Sequence, residues 1–452
     1  MVFGYSGYTH SKGCRLKSLN GTVDLPPSQS IAERALRWGI LQRREVILKN
    51  ATALVASPAV VDLISTTGFE LRYNDDIIEM RRAENVRENT SISPDNMDSF
   101  LQHLVAFAPN GEDVVIHKPE DSDDDHETRL LLFRRMGIDY DRVEDEDITM
   151  CRPTLNPPES IRYTLPERNY HLVESLSEGV LTSGCQVDLC SPIGMEKPLM
   201  STFSSLGLSF EQVIEEGEED ELERRLKRLK PKEIEREFVY RISRNSDPTP
   251  IEMTLPGDFE LALFLASAVL SRKKSSVVIR GLLKSTSIIS AFRLFGKAGA
   301  DVSVTDGDSS ELPLCNITVG RSGDLAGKRF GGDSIRALPE VAIPLAVMGM
   351  FASGKTVIRD LPFGSVEWQR RVSNVREILD SCGARVGEIE DGLVVEAAPE
   401  YSMTRYIETG DPLCELLQQT LSLVLEHDSG FTIPENFNES HLYERFSSLS
   451  KR

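Results

Sequence analysis

The sequence predicts an α/β (α+β) protein of two domains, each made of three repeated βαβαβ-type units around buried helices. Three observations carry this. The chain has 452 residues, about three times the length of a typical domain. A run of strand, apolar helix, polar turn, β-branched strand and amphipathic helix recurs along it, and units of that size must share their apolar faces with neighbours. The stretch Arg244–Pro250 (RNSDPTP) falls between the third and fourth units and has the proline and polar content of a domain connection.

The first unit covers residues 20–72. Leu25-Pro26 closes its opening strand, a helix follows from about Ile31, then a strand over Glu45–Leu48, and Gly68 ends the second helix. Weaker copies begin near Asn89 and Ile161. The fourth unit, residues 251–304, has strand Val277–Arg280, helically spaced apolar residues over Ile288–Phe295, and Gly299. The fifth, residues 335–387, has a helix over Pro344–Ala352, strand Thr356–Arg359, helix Val372–Leu379 and Gly383. A sixth begins near Tyr406. Glycine after the last apolar residue suits a helix C-terminus, because it takes positive φ without a Cβ clash.

Charge narrows the function. Lys and Arg number 51 against 71 Asp and Glu, a net of −20. That argues against nucleic-acid and acidic-membrane binding, which need a basic face. Residues 25–255 hold 27 basic and 44 acidic side chains, a net of −17. No apolar run is long enough to cross a bilayer, and no signal peptide is apparent. Seven dispersed cysteines with no CxxC pair point to reduced thiols and a cytoplasmic protein.

No metal or cofactor is implied, since CxxC, GxGxxG and Ser/His/Asp patterns are missing. Gly349–Thr356 fits the P-loop expression GxxxxGK[ST], but a helix precedes it and a strand follows, the reverse of the order phosphate binding needs. His117 and His126 flank the acidic run Glu120–Glu127, which lacks the spacing of a calcium loop and reads as a solvated loop. Glu215–Glu223 followed by Arg224–Lys230 suits a helix with charges matched to its dipole.

The segment GTVDLPPSQSIAERAL, residues 21–36, resembles the opening of the 5-enolpyruvylshikimate-3-phosphate (EPSP) synthase family, the 3-phosphoshikimate 1-carboxyvinyltransferases. LPGDFELALFLASA and IRALPEVAIPLAVMGMFASGKTVIRDL resemble the family's fourth and fifth units, and the likeness runs along almost the whole chain. It implies an enolpyruvyl transferase-like fold whose chain crosses between domains near Leu25–Pro27 and Thr254–Pro256. The domains would then be 25–255 and 1–24 plus 256–452, with a cleft at the crossings.

The resemblance also implies transfer of a carboxyvinyl group from phosphoenolpyruvate to shikimate 3-phosphate, a step of aromatic amino-acid biosynthesis. Two anions react, so the family gathers Lys and Arg in the cleft, with a carboxylate and a lysine for proton transfer. Here Ser30, Arg34 and Arg371 match substrate-binding positions, and Gln29 stands where the family has lysine. Ser30 could instead cap the helix beginning at Ile31, with Arg34 on the surface. Glu340 takes the place of the central aspartate and is the candidate proton acceptor.

Other positions depart further. Glu367 and Trp368 replace a lysine and an acid. Asp411-Pro412-Leu413 replaces Asp-His-Arg, and Glu439 lies near a late lysine. Glu88–Ser91, Glu120–Asp125 and Arg168–Tyr170 fall where the family has further ligand-binding turns. The expectation is a degenerate enzyme, or one redirected to a less anionic ligand, holding a small anionic or polyhydroxy molecule in the cleft. One alternative is a working divergent transferase with cations supplied by Lys284, Arg336 or Arg370. Another is an acidic scaffold that meets a basic protein partner through residues 25–255.

Overall fold

A computed structural model describes residues 18–52, 54, 60–61, 64–65, 67–83, 114–117, 131–145, 148–165, 171–191, 205–213, 238–245, 249–307, 312–363, 366–398 and 400–427. Four of its sheets share one topology, a parallel pair extended by two antiparallel strands. The first runs β12 (Ile251–Thr254), β2 (Val46–Lys49), β4 (Ile77–Arg82), β3 (Phe69–Asn74). The second runs β8 (Ser160–Thr164), β9 (Gln186–Ser191), β11 (Phe238–Arg244), β10 (Leu208–Val213). The third runs β1 (Asn20–Asp24), β13 (Ser275–Leu283), β15 (Leu314–Arg321), β14 (Asp301–Asp306). The fourth runs β16 (Arg329–Phe330), β17 (Lys355–Ile358), β19 (Gly392–Glu396), β18 (Arg385–Ile389). An antiparallel sheet of β5 (Val114–His117), β7 (Ile148–Leu155) and β6 (Ile138–Asp145), and a short pair of β20 (Ser402–Met403) and β21 (Glu426–His427), complete the set.

The helices divide by composition. α1 (Gln29–Gln42) and α2 (His171–Ser183) pack together in the first half of the chain. In the second half, α3 (Phe259–Leu270) is buried at every residue from Leu261 to Leu270. Apolar on all sides, it can only be central. Amphipathic α4 (Thr286–Lys297) lies on β14. The short α5 (Asp333–Ala337) and the 3-10 turn Pro339–Val341 lead into α6 (Ala342–Met350), which is also fully buried. α7 (Val366–Ser381) covers β18, and α8 (Pro412–Val424) packs on α3, α6 and α7.

The two halves exchange strands. β1 leaves the first half to pair with β13, Thr22 beside Val278, while β12 stays with β2, Met253 beside Leu48. The return passages run side by side. Ser28 N donates to the Pro256 carbonyl at 2.9 Å, and Asp258 N to the Pro26 carbonyl at 3.0 Å. Gly257 makes this approach possible, for an added Cβ would lie 2.8 Å from the Cβ of Leu25.

Each passage ends in a helix cap of nearly the same geometry. Ser28 (φ −68°, ψ 112°) accepts from Ile31 N, and Asp258 (φ −68°, ψ 115°) accepts from Leu261 N. The cap of α1 is therefore Ser28 and not Ser30, because the helix starts two residues before Ile31. The stretch Arg244–Pro250 joins β11 to β12, and β12 adds to the edge of β2.

The recurring glycines Gly299 (φ 102°) and Gly383 (φ 86°) follow α4 and α7 as expected. Gly354 (φ 85°) turns the chain from α6 into β17, so the P-loop-like segment has helix before strand. No helix among the described residues is long and apolar enough to cross a membrane. Cys185, Cys190, Cys315, Cys382 and Cys414 are buried free thiols. Asn89, the run Glu120–Glu127, Arg168–Tyr170, Glu215–Lys230 and Glu439 lie outside the described residues.

Candidate functional site: two charged clusters at helix ends

On α1, Arg34, Arg37 and Trp38 stand three and four residues apart and so share one face. On α2, Glu174 and Glu178 stand four apart and face them. Arg34 Nε donates to Glu174 Oε1 at 2.8 Å, and Arg37 Nη2 donates to the same oxygen at 2.7 Å. Trp38 Nε1 donates to Glu178 Oε1 at 3.4 Å, and Arg37 Nε lies 3.9 Å from that oxygen. Glu178 is 0% exposed and Arg34 only 7%.

Burial pushes the Glu178 carboxyl up to about 8; Arg37 opposes the shift, Glu174 adds to it, and Arg34 and the Trp38 bond oppose it. Arg34 Nη1 and Glu178 Oε2 are among the buried atoms here without a hydrogen-bond partner. The other two residues expected here, Gln29 and Ser30, are exposed. Gln29 Nε2 turns along its own helix to Glu33 at 3.0 Å, and the Ser30 hydroxyl lies 3.1 Å from that of Ser28.

The second cluster forms where α3, the 3-10 turn before α6, and α8 begin. Asp258 caps α3, and Glu260 follows in its first turn. Glu340 sits in the 3-10 turn. Asp411 caps α8, accepting from Leu413 N at 2.9 Å and Cys414 N at 3.2 Å. Its other oxygen accepts from Arg371 Nε at 2.7 Å. The Arg371 guanidinium also lies over the Trp368 ring, 4.7 Å from its centroid, and the residue is 9% exposed.

Glu260 is pushed up to about 8, first by burial, then by the negative charges of Asp258 and Glu340; Arg371 opposes this and Asp411 adds to it. Glu340 Oε2 is buried without a partner. Helix N-termini attract anions. Here the protein's own carboxylates already occupy them, and Arg371 is neutralised within the cluster.

The alternative cations are engaged elsewhere or exposed. Lys284 pairs with Asp306, Arg336 Nη2 bonds Asp360 at 2.8 Å, and Arg370 is exposed on α7. Glu367 lies on α7, its side chain outside the described residues. Among the described residues, no group of His, Cys, Asp or Glu is placed to hold a metal ion. An open cavity of about 400 Å³ is lined by Arg329, Gly332, Arg359, Asp360 and Asp391, and by no residue of either cluster.

Sequence reasoning named Arg34, Arg371 and Glu340, which the structure sets in the two charged clusters, and did not name their neighbours Glu174, Glu178 and Glu260. Glu174 and Glu178 show in the sequence only as acids four apart in HLVESLSEGVL. Glu260 shows only as an acid two residues after a capping aspartate. Neither pattern tells which other carboxylates come near.

Known proteins share this architecture. A model of the EPSP synthase (3-phosphoshikimate 1-carboxyvinyltransferase) family matches residues 214–411. The 3-phosphoshikimate 1-carboxyvinyltransferase of Listeria monocytogenes serotype 4b is 27% identical over 255 residues, which is 55% of this chain and 59% of that protein. That of Caldicellulosiruptor bescii is 23% identical over 85% of each chain. An EPSP synthase structure from Acinetobacter baumannii superposes with a TM-score of 0.67, at 14% identity, over 97% of this chain and 96% of that one. The enolpyruvyl transferase NikO from Streptomyces tendae gives 0.64, at 16% identity, over 91% and 90%.

Proposed function

We propose that this chain is a divergent member of the EPSP synthase family and that it no longer performs carboxyvinyl transfer between phosphoenolpyruvate and shikimate 3-phosphate at a useful rate. Its cleft is degenerate, or serves a less anionic, polyhydroxy ligand. The observation that carries this is that Arg34 and Arg371 are each bonded to a carboxylate of the protein, at 2.8 Å and 2.7 Å. A substrate phosphate would have to displace Glu174 and Asp411. A hydrogen bond to a charged group contributes about 1.5–3 kcal/mol, so each displacement lowers affinity by roughly tenfold or more.

The two passages bring the starts of α1 and α3 together, Ser28 N lying 2.9 Å from the Pro256 carbonyl. We place the domains at 25–255 and at 1–24 plus 256–452, with Ser30, Arg34, Glu340 and Arg371 on the walls between them. Glu340 would accept a proton from a ligand hydroxyl. The protonated Glu260 beside it favours a neutral or polyhydroxy group over a second phosphate.

Steady-state phosphate release from phosphoenolpyruvate plus shikimate 3-phosphate tests the reading. The expected kcat/KM lies at least about a hundredfold below the common enzyme range of 10⁴–10⁸ M⁻¹s⁻¹. A value inside that range would sink it.

A further inference from the structure

We propose that the open cavity at the ends of β16 and β17 is a binding site for a small dicarboxylate, with Arg359 and Arg329 each holding one of its carboxylates. The inference goes beyond the proposed function and does not rest on it, since no residue of either charged cluster lines the cavity.

The repeat shows how the cavity arises. VVIRG (277–281) and TVIRD (356–360) hold the same place in the third and fourth sheets, each pairing in parallel with an edge strand. Each ends in a residue of positive φ, Gly281 at 82° and Asp360 at 64°. Arg280 and Arg359 are therefore equivalent. In the third sheet Asp24 of β1 stands beside Arg280. The two form a two-point pair, Nε to Oδ1 at 2.7 Å and Nη2 to Oδ2 at 2.6 Å. In the fourth sheet Phe330 of β16 pairs with Ile358, so the next residue, Gly331, takes the place of Asp24. Glycine brings no carboxylate, and the space beside Arg359 is the cavity, about 400 Å³ and open. A Cβ on Gly331 would lie 2.7 Å from Asp360 Oδ2, so the packing itself keeps this wall bare.

Arg359 turns its Nε to Asp391, 2.8 Å and 3.1 Å from the two carboxylate oxygens. Its Nη1 and Nη2 donate to none of the described residues, which leaves the outer edge of the guanidinium for a second two-point contact. Arg329 lines the same cavity and is exposed, and its side chain has no hydrogen bond or ion pair among the described residues. Two aspartates also line it. Asp360 accepts from Gly332 N and from Arg336 Nη2, both at 2.8 Å, while Asp391 accepts from Arg359. They offset part of the positive charge, so recognition depends on directed N–H groups rather than on bulk attraction. A flat carboxylate suits that open edge as Asp24 suits Arg280. The volume lies at the lower end of the range for small-molecule sites.

Malonate is the probe, titrated by calorimetry into the full-length protein at neutral pH and low salt. The wild type is expected to bind one malonate with a Kd at or below about 1 mM. Arg359→Gln and Arg329→Gln should each weaken binding by about tenfold or more, the worth of a hydrogen bond between charged groups. Arg359→Gln also releases Asp391, so where that variant does not fold the exposed Arg329→Gln carries the test. A wild type without saturable malonate binding overturns the proposal. So does an affinity unchanged in Arg329→Gln, which would put the malonate elsewhere. Inorganic phosphate bound as tightly as malonate would overturn the assignment to a carboxylate. The turnover assay is separate from this titration, so normal transferase activity would sink the functional reading without deciding the site.

Discussion

Glu260 holds its proton near neutral pH because burial strips water from its carboxyl and because its neighbours Asp258 and Glu340 are carboxylates. Its folded-state value of about 8 stands above the ordinary carboxyl value of 4.5. Between those limits the folded chain binds more protons than the unfolded chain, so the contribution of Glu260 to stability is present below about pH 4.5 and lost as pH rises through 8. Glu260→Gln should remove that slope and stabilise the protein at pH 9 by about 1–3 kcal/mol, a figure reduced for the part of the carboxyl that water still reaches. Urea unfolding at pH 5 and pH 9 checks this, and equal midpoint shifts at both values would refute it. Arg371 behaves differently. Asp411, Trp368 and its own burial hold it in place, so Arg371→Ala should cost about 2–4 kcal/mol by leaving Asp411 uncompensated and Trp368 uncovered.

At the scale of elements, two near-identical caps start the helices that begin at the strand exchange. Ser28→Ala and Asp258→Ala should each cost about 1 kcal/mol, within the usual range for a lost N-cap. Chemical denaturation measures both, and a cost only at Asp258 would show that the 3.5 Å contact from Ile31 N to Ser28 carries no weight. Helix and strand identities were legible along the chain. The apolar run of α3 and the alternation in β13 gave their places to within a few residues, because side-chain periodicity reports burial directly. The start of α1 was less legible, since Ser28 and Ser30 are both good caps and only the backbone decides between them.

At the scale of the molecule, the exchange of β1 and β12 predicts where the chain can be cut. A fragment of residues 25–255 keeps β12 on the edge of β2 and should fold as a soluble, acidic unit. A fragment ending at residue 245 exposes that edge and should aggregate or unfold, because unpaired strand edges recruit other chains. Circular dichroism and size exclusion of the two fragments separate the outcomes, and equal behaviour would mean that β12 is dispensable.

The sequence by itself determined the α/β class, the order of strands and helices, and which residues stand where the resemblance led us to expect cations. Those properties follow from local periodicity and residue identity. Tertiary structure decided which groups Arg34 and Arg371 meet. Arg34 and Glu174 are 140 residues apart in the chain, and Arg371 and Asp411 are 40 apart. No local pattern says that each guanidinium meets a carboxylate rather than a ligand. It also decided that Glu178 and Glu260 titrate near neutrality, since burial and neighbouring charge are properties of the packed molecule and not of the residue.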